Sequence, residues 1–428
     1  MNKRSATGKD KIYSAPFIFI VIYLFVEFIR PQELVPALAV IRPGIIAIGL
    51  VFLSLVLNFK ALYLGNTQTK LFFALLLLMT IHGPIAENNY WAFQVWYYML
   101  TYLLVFVAVI NFVNTPEKIE RLVVIWLVMN LFAALIGIKH EGTVPSVYMK
   151  DENDFSLVMN LALPLAYFMF LEGGSGRRKL FYISACVLFV IASVISLSRG
   201  GFIGLAVTFL YCWYKSPNKL AGVILVSLLV GALFLTAPDK YFDEIKSIRT
   251  ENIQEGTGAN RWYLWQRGWM MFLDHPLIGV GQGNFPWNVA HYEPSGGFHR
   301  MLHGSRVAHS LYFTLIPELG LAGIFLFSGI LLYSLLSMRN ATKNNKEPFS
   351  RGSHETEIDL PRRLHKMKFI AFGITGALWA FMVSAIFLTV LYYPHLWLLL
   401  AFATAIGNTT KNMLKLHYTS GAILAPCP

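Results

Sequence analysis

The sequence predicts an all-α integral membrane protein with about twelve transmembrane helices. Of its 428 residues, 56% are hydrophobic and only 14% are charged, whereas soluble globular domains carry about 25% charged residues. The apolar residues also occur in runs that approach the roughly 20 residues a helix needs to cross a bilayer. No internal repeat is visible, so residues 1–428 are treated as a single polytopic membrane domain.

Each apolar run is assigned to one membrane span. In chain order the predicted spans lie near 14–29, 43–58, 70–86, 91–113, 121–138, 155–171, 180–197, 201–214, 219–236, 309–337, 368–391 and 394–408. Several of these runs are short, so some segments are expected to be tilted or re-entrant.

The distribution of positive charge predicts the topology. The net charge is +12, and the basic clusters fall on one side of the membrane when the spans alternate. These clusters are Lys3/Arg4/Lys9/Lys11, Lys60/Lys70, Lys118/Arg121, Arg177/Arg178/Lys179, Lys215/Lys219, 339–368 and Lys411/Lys415. The positive-inside rule then places both termini and the polar loop 338–367 in the cytoplasm. Because the clusters mark topology and contact anionic headgroups, no nucleic-acid partner is expected.

The same alternation places 139–154 and the long polar segment 237–308 outside. Long loops without a fold of their own are usually functional, and this one combines arginines with histidines immediately before the tenth span. Aromatic residues at helical spacing from Asn260 onward predict a helix that ends before Pro276. The glycines of Gly279–Gly283 are interpreted as a flexible turn, since no strand-turn-helix context surrounds them.

Three cationic or ionisable side chains are the strongest candidates for chemistry. Arg199 lies between two apolar runs on the outer side, where an arginine is costly and usually has an anionic partner. Arg261 offers a guanidinium whose fork matches phosphate oxygens. His309 stands at the membrane boundary and can accept a proton near neutral pH. The alternatives are a snorkelling Arg199, a solvated Arg261 and an interfacial histidine without a catalytic role.

Further polar residues have both structural and functional interpretations. Asn153 and Asp154 could bind sugar hydroxyls, although acids at a helix start are more often capping groups. Pro317 is expected to kink the tenth span, and Glu318 adds an ionisable group within it. His299 and His303 have i, i+4 spacing but lack the glutamate of a zinc-protease helix. No metal site is predicted, and one that also uses the nearby Glu293 and His291 is the alternative.

Four stretches together resemble the O-antigen ligase and polymerase family of bacterial envelope glycosyltransferases, which includes the protein O-oligosaccharyltransferases. They are the run from Asp151 to Ser156, the run Ser198-Arg-Gly-Gly, the segment from Arg261 to Phe285, and His309-Ser310 with Gly320 and Gly323 downstream. Their order, the many spans and the outer loop before the histidine all fit, so the resemblance covers nearly the whole chain.

The resemblance implies an inner-membrane enzyme that transfers a glycan from undecaprenyl pyrophosphate to an acceptor hydroxyl at the periplasmic face, without nucleotide sugar and, in the ligases, without metal. No cofactor is expected, and direct attack by the acceptor would invert the anomeric centre. His309 would activate the acceptor, and Arg199 and Arg261 would hold the pyrophosphate. The remaining predicted site residues are Arg267 and Arg306 at the donor, and Asn153, Asp154, Asn284, Ser310 and Glu318 as glycan-binding or supporting groups.

The first expectation for the reaction is ligation of polysaccharide to lipid A-core. A polymerase or a protein O-oligosaccharyltransferase would share the same donor site, so both remain alternatives. From a different class, a polysaccharide transporter or flippase would show inverted repeats and ionisable residues at mid-membrane. Neither feature is clear in the sequence, and the candidate residues concentrate on the outer side.

Overall fold

The computed structural model describes residues 13–145, 148–220, 222–223, 227, 231, 257–293, 306–343 and 355–423. The side chains at 257–260, 355–359 and 417–423 lie outside that description. Within the described ranges all regular structure is α-helix or short 3₁₀ turns, which confirms the all-α fold class.

In chain order, the described ranges contain the α-helices α1 Ala15–Phe28, α2 Pro31–Leu34, α3 Pro43–Leu57, α4 Thr67–His82, α5 Asn89–Phe112, α6 Pro116–Lys139, α7 Glu152–Glu172, α8 Gly176–Ile195, α9 Arg199–Lys215, α10 Thr257–Asp274, α11 Phe285–Asn288, α12 Tyr312–Lys343, α13 Glu355–Ser384 and α14 Pro394–Ile423.

Six of the described helices are long and apolar enough to cross a membrane, and the chain is therefore a multi-pass membrane protein. They are α5, α6, α7, α8, α12 and the part of α13 that begins at Leu360. The count of about twelve spans, and the side that each loop faces, stay predictions.

Several of the sequence-based boundaries are wrong. Helices α12 and α13 extend into both ends of the segment 338–367, which the sequence predicts to be a loop. At its other end α13 stops at Ser384, short of the predicted span end at 391. Residues 385–393 instead form a connection that starts with a 3₁₀ turn, Ala385–Phe387.

Helix α7 lies at the centre of the bundle, and every residue from Phe155 to Met169 in it is buried. Helices α8, α9 and α13 pack against it. A buried polar chain fixes this packing near the start of α9. Ser193 donates to Asn160 Oδ1 at 3.1 Å and contacts Ser156 at 2.8 Å, and Asn160 donates to the carbonyl of Gly201 at 2.8 Å. Buried polar groups that are satisfied in this way specify a unique arrangement of helices.

Ion pairs identify one end of the bundle. Glu120 on α6 pairs with Arg178 on α8 and with Lys366 on α13, and Arg363 pairs with Glu117 at 3.4 Å. Three of the predicted basic clusters therefore lie at the same end. Helix α7 runs from this Glu120 end to the opposite end, where Asp151 caps it, over about 31 Å at 1.5 Å per residue.

Helix α12 is broken at Gly320, where φ is +58° and ψ is −161°. In an unbroken helix, Leu321 N and Ala322 N would donate to the carbonyls of Pro317 and Glu318. Here Leu321 N and Ala322 N instead donate to the carbonyls of Pro276 and Leu277, at 2.8 and 3.0 Å. The kink expected at Pro317 is therefore a full interruption three residues later.

The carbonyls released by the break are satisfied by the same loop. Val280 N donates to Pro317 O and Gly281 N to Glu318 O, both at 2.9 Å. The segment Pro276–Gly283, which we call the inserted loop, thus replaces the helical hydrogen bonds on both sides of Gly320. Unsatisfied backbone groups inside a membrane cost several kcal/mol each, so this exchange makes a broken helix tolerable.

Further contacts lock the inserted loop against α4 and α5. Gln282, which is fully buried, donates from Nε2 to the carbonyls of Met79 and Ala92 at 2.9 and 3.0 Å. The sequence-based interpretation of Gly279–Gly283 as a flexible turn is therefore wrong. The glycines allow positive φ and close backbone contact, and the segment is fixed by hydrogen bonds on every side.

Candidate active site

His309 lies immediately before α12, at the end of the bundle opposite Glu120. Its backbone is left-handed, with φ at +46°, a conformation that costs a non-glycine residue about 1–3 kcal/mol and recurs at functional sites. The residues on both sides are tied down: Trp265 donates to the carbonyl of Ala308 at 2.8 Å, and Leu311 N donates to the carbonyl of Ala385 at 2.8 Å. The surrounding structure thus holds an exposed histidine in one backbone geometry.

A second, smaller apolar core joins α10 to the start of α12. Leu264, Met271, Phe285 and Ala308 are buried in it, and Phe313 packs against it. The rings of Trp265 and Phe313 are parallel, with centroids 4.8 Å apart. The predicted helix over the tryptophan-rich segment is confirmed as α10, and this core sets its distance from His309.

Ser310 lies two residues before α12 and is buried. Its hydroxyl accepts from Phe313 N at 3.5 Å and its carbonyl accepts from the Thr314 hydroxyl at 2.7 Å. The structure therefore gives Ser310 a supporting position beside His309.

Arg261 comes from α10 and lies over the ring of Phe387, with 5.8 Å from its Cζ to the ring centroid. Phe387 belongs to the 3₁₀ turn after α13 and also borders the start of α9. A Cβ atom at Gly200 would lie 3.7 Å from Cβ of Phe387 and 3.9 Å from Oδ1 of Asn153. Residues from α7, α9, α10 and the turn after α13 therefore meet at one place.

The start of α9 is oriented by Asn153. Ser198 donates its hydroxyl to Asn153 Oδ1 at 2.6 Å and accepts from Gly201 N at 2.8 Å. Asp151 Oδ1 in turn accepts from the backbone and side-chain nitrogens of Asn153, at 2.8 and 2.9 Å. Arg199 follows the capping Ser198 directly, so this chain of hydrogen bonds fixes the position of its backbone.

Two of these groups, Arg261 and Asp151, act electrostatically on His309. Partial loss of hydration lowers the pKa of His309, the positive charge of Arg261 lowers that pKa further, and the negative charge of Asp151 raises it. A neutral imidazole is the form that can accept a proton. The net direction favours that form over the physiological pH range.

The connection 385–393 donates hydrogen bonds to two of the predicted site residues, a role that the sequence did not reveal. Tyr393 donates to Asp154 Oδ2 at 2.8 Å, and Tyr392 donates to Glu318 Oε2 at 2.7 Å. Glu318 is buried and also accepts from the backbone nitrogens of Gly283 and Phe285, at 2.8 and 2.9 Å. Asp154 and Glu318 therefore have structural partners in the described residues.

Three of the predicted site residues are engaged elsewhere. Arg306 pairs with Glu293 at 3.2 Å. Arg267 stacks on Tyr263, 4.5 Å from the ring centroid, about 9 Å further along α10 than Arg261. Asn284 is buried and bonds the backbone of Asn88 through Oδ1 at 2.7 Å. Each of these three residues therefore has a partner other than His309 among the described residues, and their roles at the site stay predictions.

Among the described residues, no group of three or more histidine, cysteine or carboxylate side chains is arranged to hold a metal ion. Glu293, the acid closest in sequence to the histidine pair, receives hydrogen bonds from Tyr263 and Arg306. His299 and His303 lie outside the described residues.

The resulting arrangement combines a proton acceptor with cationic groups at one end of a membrane bundle. The charge of Arg261 reaches His309, and Phe387 borders both Arg261 and Gly200, the residue after Arg199. Guanidinium groups stabilise negative charge that develops on a leaving phosphate, most strongly where water is excluded. The arrangement suits group transfer from a phosphate leaving group to a hydroxyl.

Comparison with known families supports this chemistry. Residues 184–328 match the family model Wzy_C, described as O-antigen ligase. The matched segment contains Arg199, Arg261 and His309, and it confirms the resemblance found in the sequence. No curated protein matches the chain.

Proposed function

We propose that this chain is a membrane glycosyltransferase that transfers a glycan from undecaprenyl pyrophosphate to an acceptor hydroxyl at the periplasmic face of the bacterial inner membrane. The observation that carries this proposal is the electrostatic interaction of His309 with Arg261, two residues of the segment that matches the O-antigen ligase family, beside a turn that also borders the start of α9. Both chain termini and the end marked by Glu120 would then be cytoplasmic, as the basic clusters indicate.

In this proposal His309 is the general base. Its neutral imidazole takes the proton from the acceptor hydroxyl, and the acceptor oxygen attacks the anomeric carbon as the bond to the pyrophosphate oxygen breaks. Such a step typically gains 10²–10⁴-fold from the positioned base. Direct displacement inverts the anomeric centre and needs only one ionisable group of this kind.

Arg199 and Arg261 would hold the pyrophosphate. Negative charge grows on the leaving oxygen during the displacement, and preorganised guanidinium groups stabilise it more in the transition state than in the ground state. Arginine and a divalent metal are alternative means of neutralising that charge. We propose that this site uses arginine and needs neither metal nor cofactor.

Asn153, Asp154, Ser310 and Glu318 are assigned as positioning residues on the strength of their hydrogen bonds. Asn153 orients the start of α9, and Glu318 holds the inserted loop against the broken helix. Asn284 would support the site through its bond to Asn88, and Arg267 and Arg306 remain candidate donor-binding residues.

For the acceptor, we favour lipid A-core, which would make the protein an O-antigen ligase. An O-antigen polymerase would use a second lipid-linked glycan as acceptor, and a protein O-oligosaccharyltransferase would use a protein hydroxyl. Deletion of the gene followed by analysis of cell-surface glycans separates these activities. Long glycan retained on its lipid carrier indicates a ligase, whereas single repeat units on lipid A-core indicate a polymerase.

The transferase proposal is tested by complementing the deletion strain with His309→Ala and with the unchanged protein. We expect the variant to accumulate in the membrane normally, to bind undecaprenyl pyrophosphate, and to transfer no glycan. Near-normal transfer by purified His309→Ala would overturn the base role. A transport function would instead show lipid-linked glycan crossing the bilayer in vesicles that contain the protein and no acceptor.

A further inference from the structure

We propose that Phe387 is a positioning residue that aims the guanidinium of Arg261 at the pyrophosphate of the donor. This assignment rests on the proposed role of Arg261 in donor binding. It adds to the site an aromatic residue from a segment that the sequence places inside a membrane span.

The geometry of the pair is the first support for this role. Arg261 Cζ lies 5.8 Å from the centroid of the Phe387 ring, within the distance at which a cation is attracted to an aromatic face. Arg261 is half-buried and comes from α10, the helix that holds Ala308 next to His309. The ring therefore contacts a guanidinium whose charge reaches His309.

The rigidity of the platform is the second support. Phe387 ends the 3₁₀ turn Ala385–Phe387, and the carbonyl of Ala385 accepts from Leu311 N at 2.8 Å. Just upstream, the carbonyl of Met382 accepts from the Tyr312 hydroxyl at 2.9 Å. The turn is thus bonded to the start of α12, immediately after His309 and Ser310.

The position of Phe387 between two elements of the site is the third support. On its other side, Phe387 borders Gly200, where an added Cβ would lie in van der Waals contact, 3.7 Å from Cβ of Phe387. Gly200 follows Arg199, so one side chain lies against Arg261 and beside the residue after Arg199. A displacement of Phe387 would move the guanidinium of Arg261 relative to the start of α9, and transfer rates are sensitive to shifts of about 1 Å.

An aromatic platform of this kind preorganises a cation without neutralising it. A neutral ring orients the guanidinium through one face, and the N–H donors of a guanidinium lie at the edge of that group. Preorganisation of the binding group lowers the ordering cost that the ligand must offset on binding.

The test is a double-mutant cycle with Phe387→Leu and Arg261→Ala in the full-length protein in nanodiscs. The probe is undecaprenyl pyrophosphate without glycan, and undecaprenyl monophosphate reports on binding of the lipid alone. We expect Phe387→Leu to weaken pyrophosphate binding about 2- to 30-fold, the range of cation–π contributions. In the Arg261→Ala background the same substitution should have almost no further effect.

Two variants guard against a purely structural explanation. Phe387→Tyr keeps the aromatic face and should restore binding to within about 2-fold of the unchanged protein. Phe369→Leu removes a half-buried phenylalanine of α13 near the Glu120 end, where its ring packs on His365 and Phe372, and should leave pyrophosphate binding unchanged. Arg261 lowers the pKa of His309, so a guanidinium that is no longer held by Phe387 should lower it less. In Phe387→Leu the loss of transfer rate at acidic pH should therefore begin at a higher pH.

The outcomes distinguish failure of the proposed donor site from failure of the proposed role of Phe387. If Arg261→Ala does not weaken pyrophosphate binding, the proposed donor site is overturned together with the role of Phe387. If Arg261→Ala weakens binding while Phe387→Leu has no effect, or if the two losses are additive, the role of Phe387 is overturned and the transferase proposal stands.

Discussion

Substitution of Gly279 by alanine tests the interrupted helix most directly. Gly279 has φ at +80°, and an added Cβ would lie 2.5 Å from the backbone carbon and oxygen of Glu318. Backbone atoms at that distance cannot rotate away. The inserted loop must therefore withdraw from the break in α12.

The expected loss follows from the contacts across the break. Four backbone hydrogen bonds join the inserted loop to residues 317–322, and at about 1 kcal/mol each they contribute about 4 kcal/mol net. Backbone strain at a positive φ adds about 1–3 kcal/mol. At roughly 2 °C per kcal/mol for a large domain, we expect a melting temperature about 10 °C lower.

The matched control is Gly173→Ala. Gly173 also has a positive φ, +99°, but no atom lies within 4 Å of an added Cβ there. It therefore carries the backbone strain without the collision, and its melting temperature should fall only by the share due to strain. Thermal unfolding in detergent, read by intrinsic fluorescence, compares the two variants directly.

Activity provides the second readout for Gly279→Ala. Withdrawal of the loop releases Glu318 and the first two turns of α12, next to Ser310 and His309. A shift of about 1 Å there should reduce transfer about 10²-fold, while Gly173→Ala stays close to the unchanged protein. A Gly279→Ala variant as stable and active as Gly173→Ala would refute the structural role of the inserted loop.

Four further predictions concern the chemistry and the topology. The transfer rate should fall as the pH drops through the lowered pKa of His309, because only the neutral imidazole accepts a proton. Arg261→Ala removes a positive charge that lowers this pKa, so the fall in rate should occur at higher pH in that variant. An unchanged pH profile in Arg261→Ala would contradict the electrostatic interaction between Arg261 and His309. Arg199→Lys should fail to restore the pyrophosphate binding lost in Arg199→Ala, because an ammonium lacks the bidentate fork, and equal binding by lysine and arginine variants would contradict this. Reconstituted transfer should continue in excess EDTA, whereas activity that is lost and then restored by magnesium, manganese or zinc would favour a metal site. Cysteines introduced at Ser295 and Ser350, in a background without native cysteines, should differ in labelling by a membrane-impermeant reagent, with Ser295 reactive in intact spheroplasts; equal labelling would overturn the topology.

The fold class and part of the candidate site could be predicted from local sequence. Apolar runs and helical spacing predicted α1, α3 and α5 to within three residues of their ends, because hydrophobicity over one helix is a local property. His309, Arg261 and Arg199 stood out for a similar reason: an ionisable group at the edge of an apolar run is conspicuous without any knowledge of its neighbours.

The break in α12 was only partly predictable. Pro317 indicated a kink, but the interruption at Gly320 depends on a loop some forty residues earlier that supplies both the missing donors and the missing acceptors. The glycines of that loop were interpreted as a flexible turn because glycine permits many backbone conformations. Hydrogen bonds hold the loop in one of these conformations, and their partners come from helices that are distant in the sequence.

The connection 385–393 shows most clearly what only the tertiary structure decided. Its residues are almost all apolar or aromatic, so by composition it continues the preceding span, yet the structure ends the helix at Ser384. Phe387 then contacts Arg261. Tyr392 bonds to Glu318, 74 positions away, and Tyr393 bonds to Asp154, 239 positions away. Sequence alone determined which residue types were available for chemistry at a membrane surface; the packing of α7, α9, α10 and α12 determined which of them meet, because contacts at such separations depend on the whole bundle.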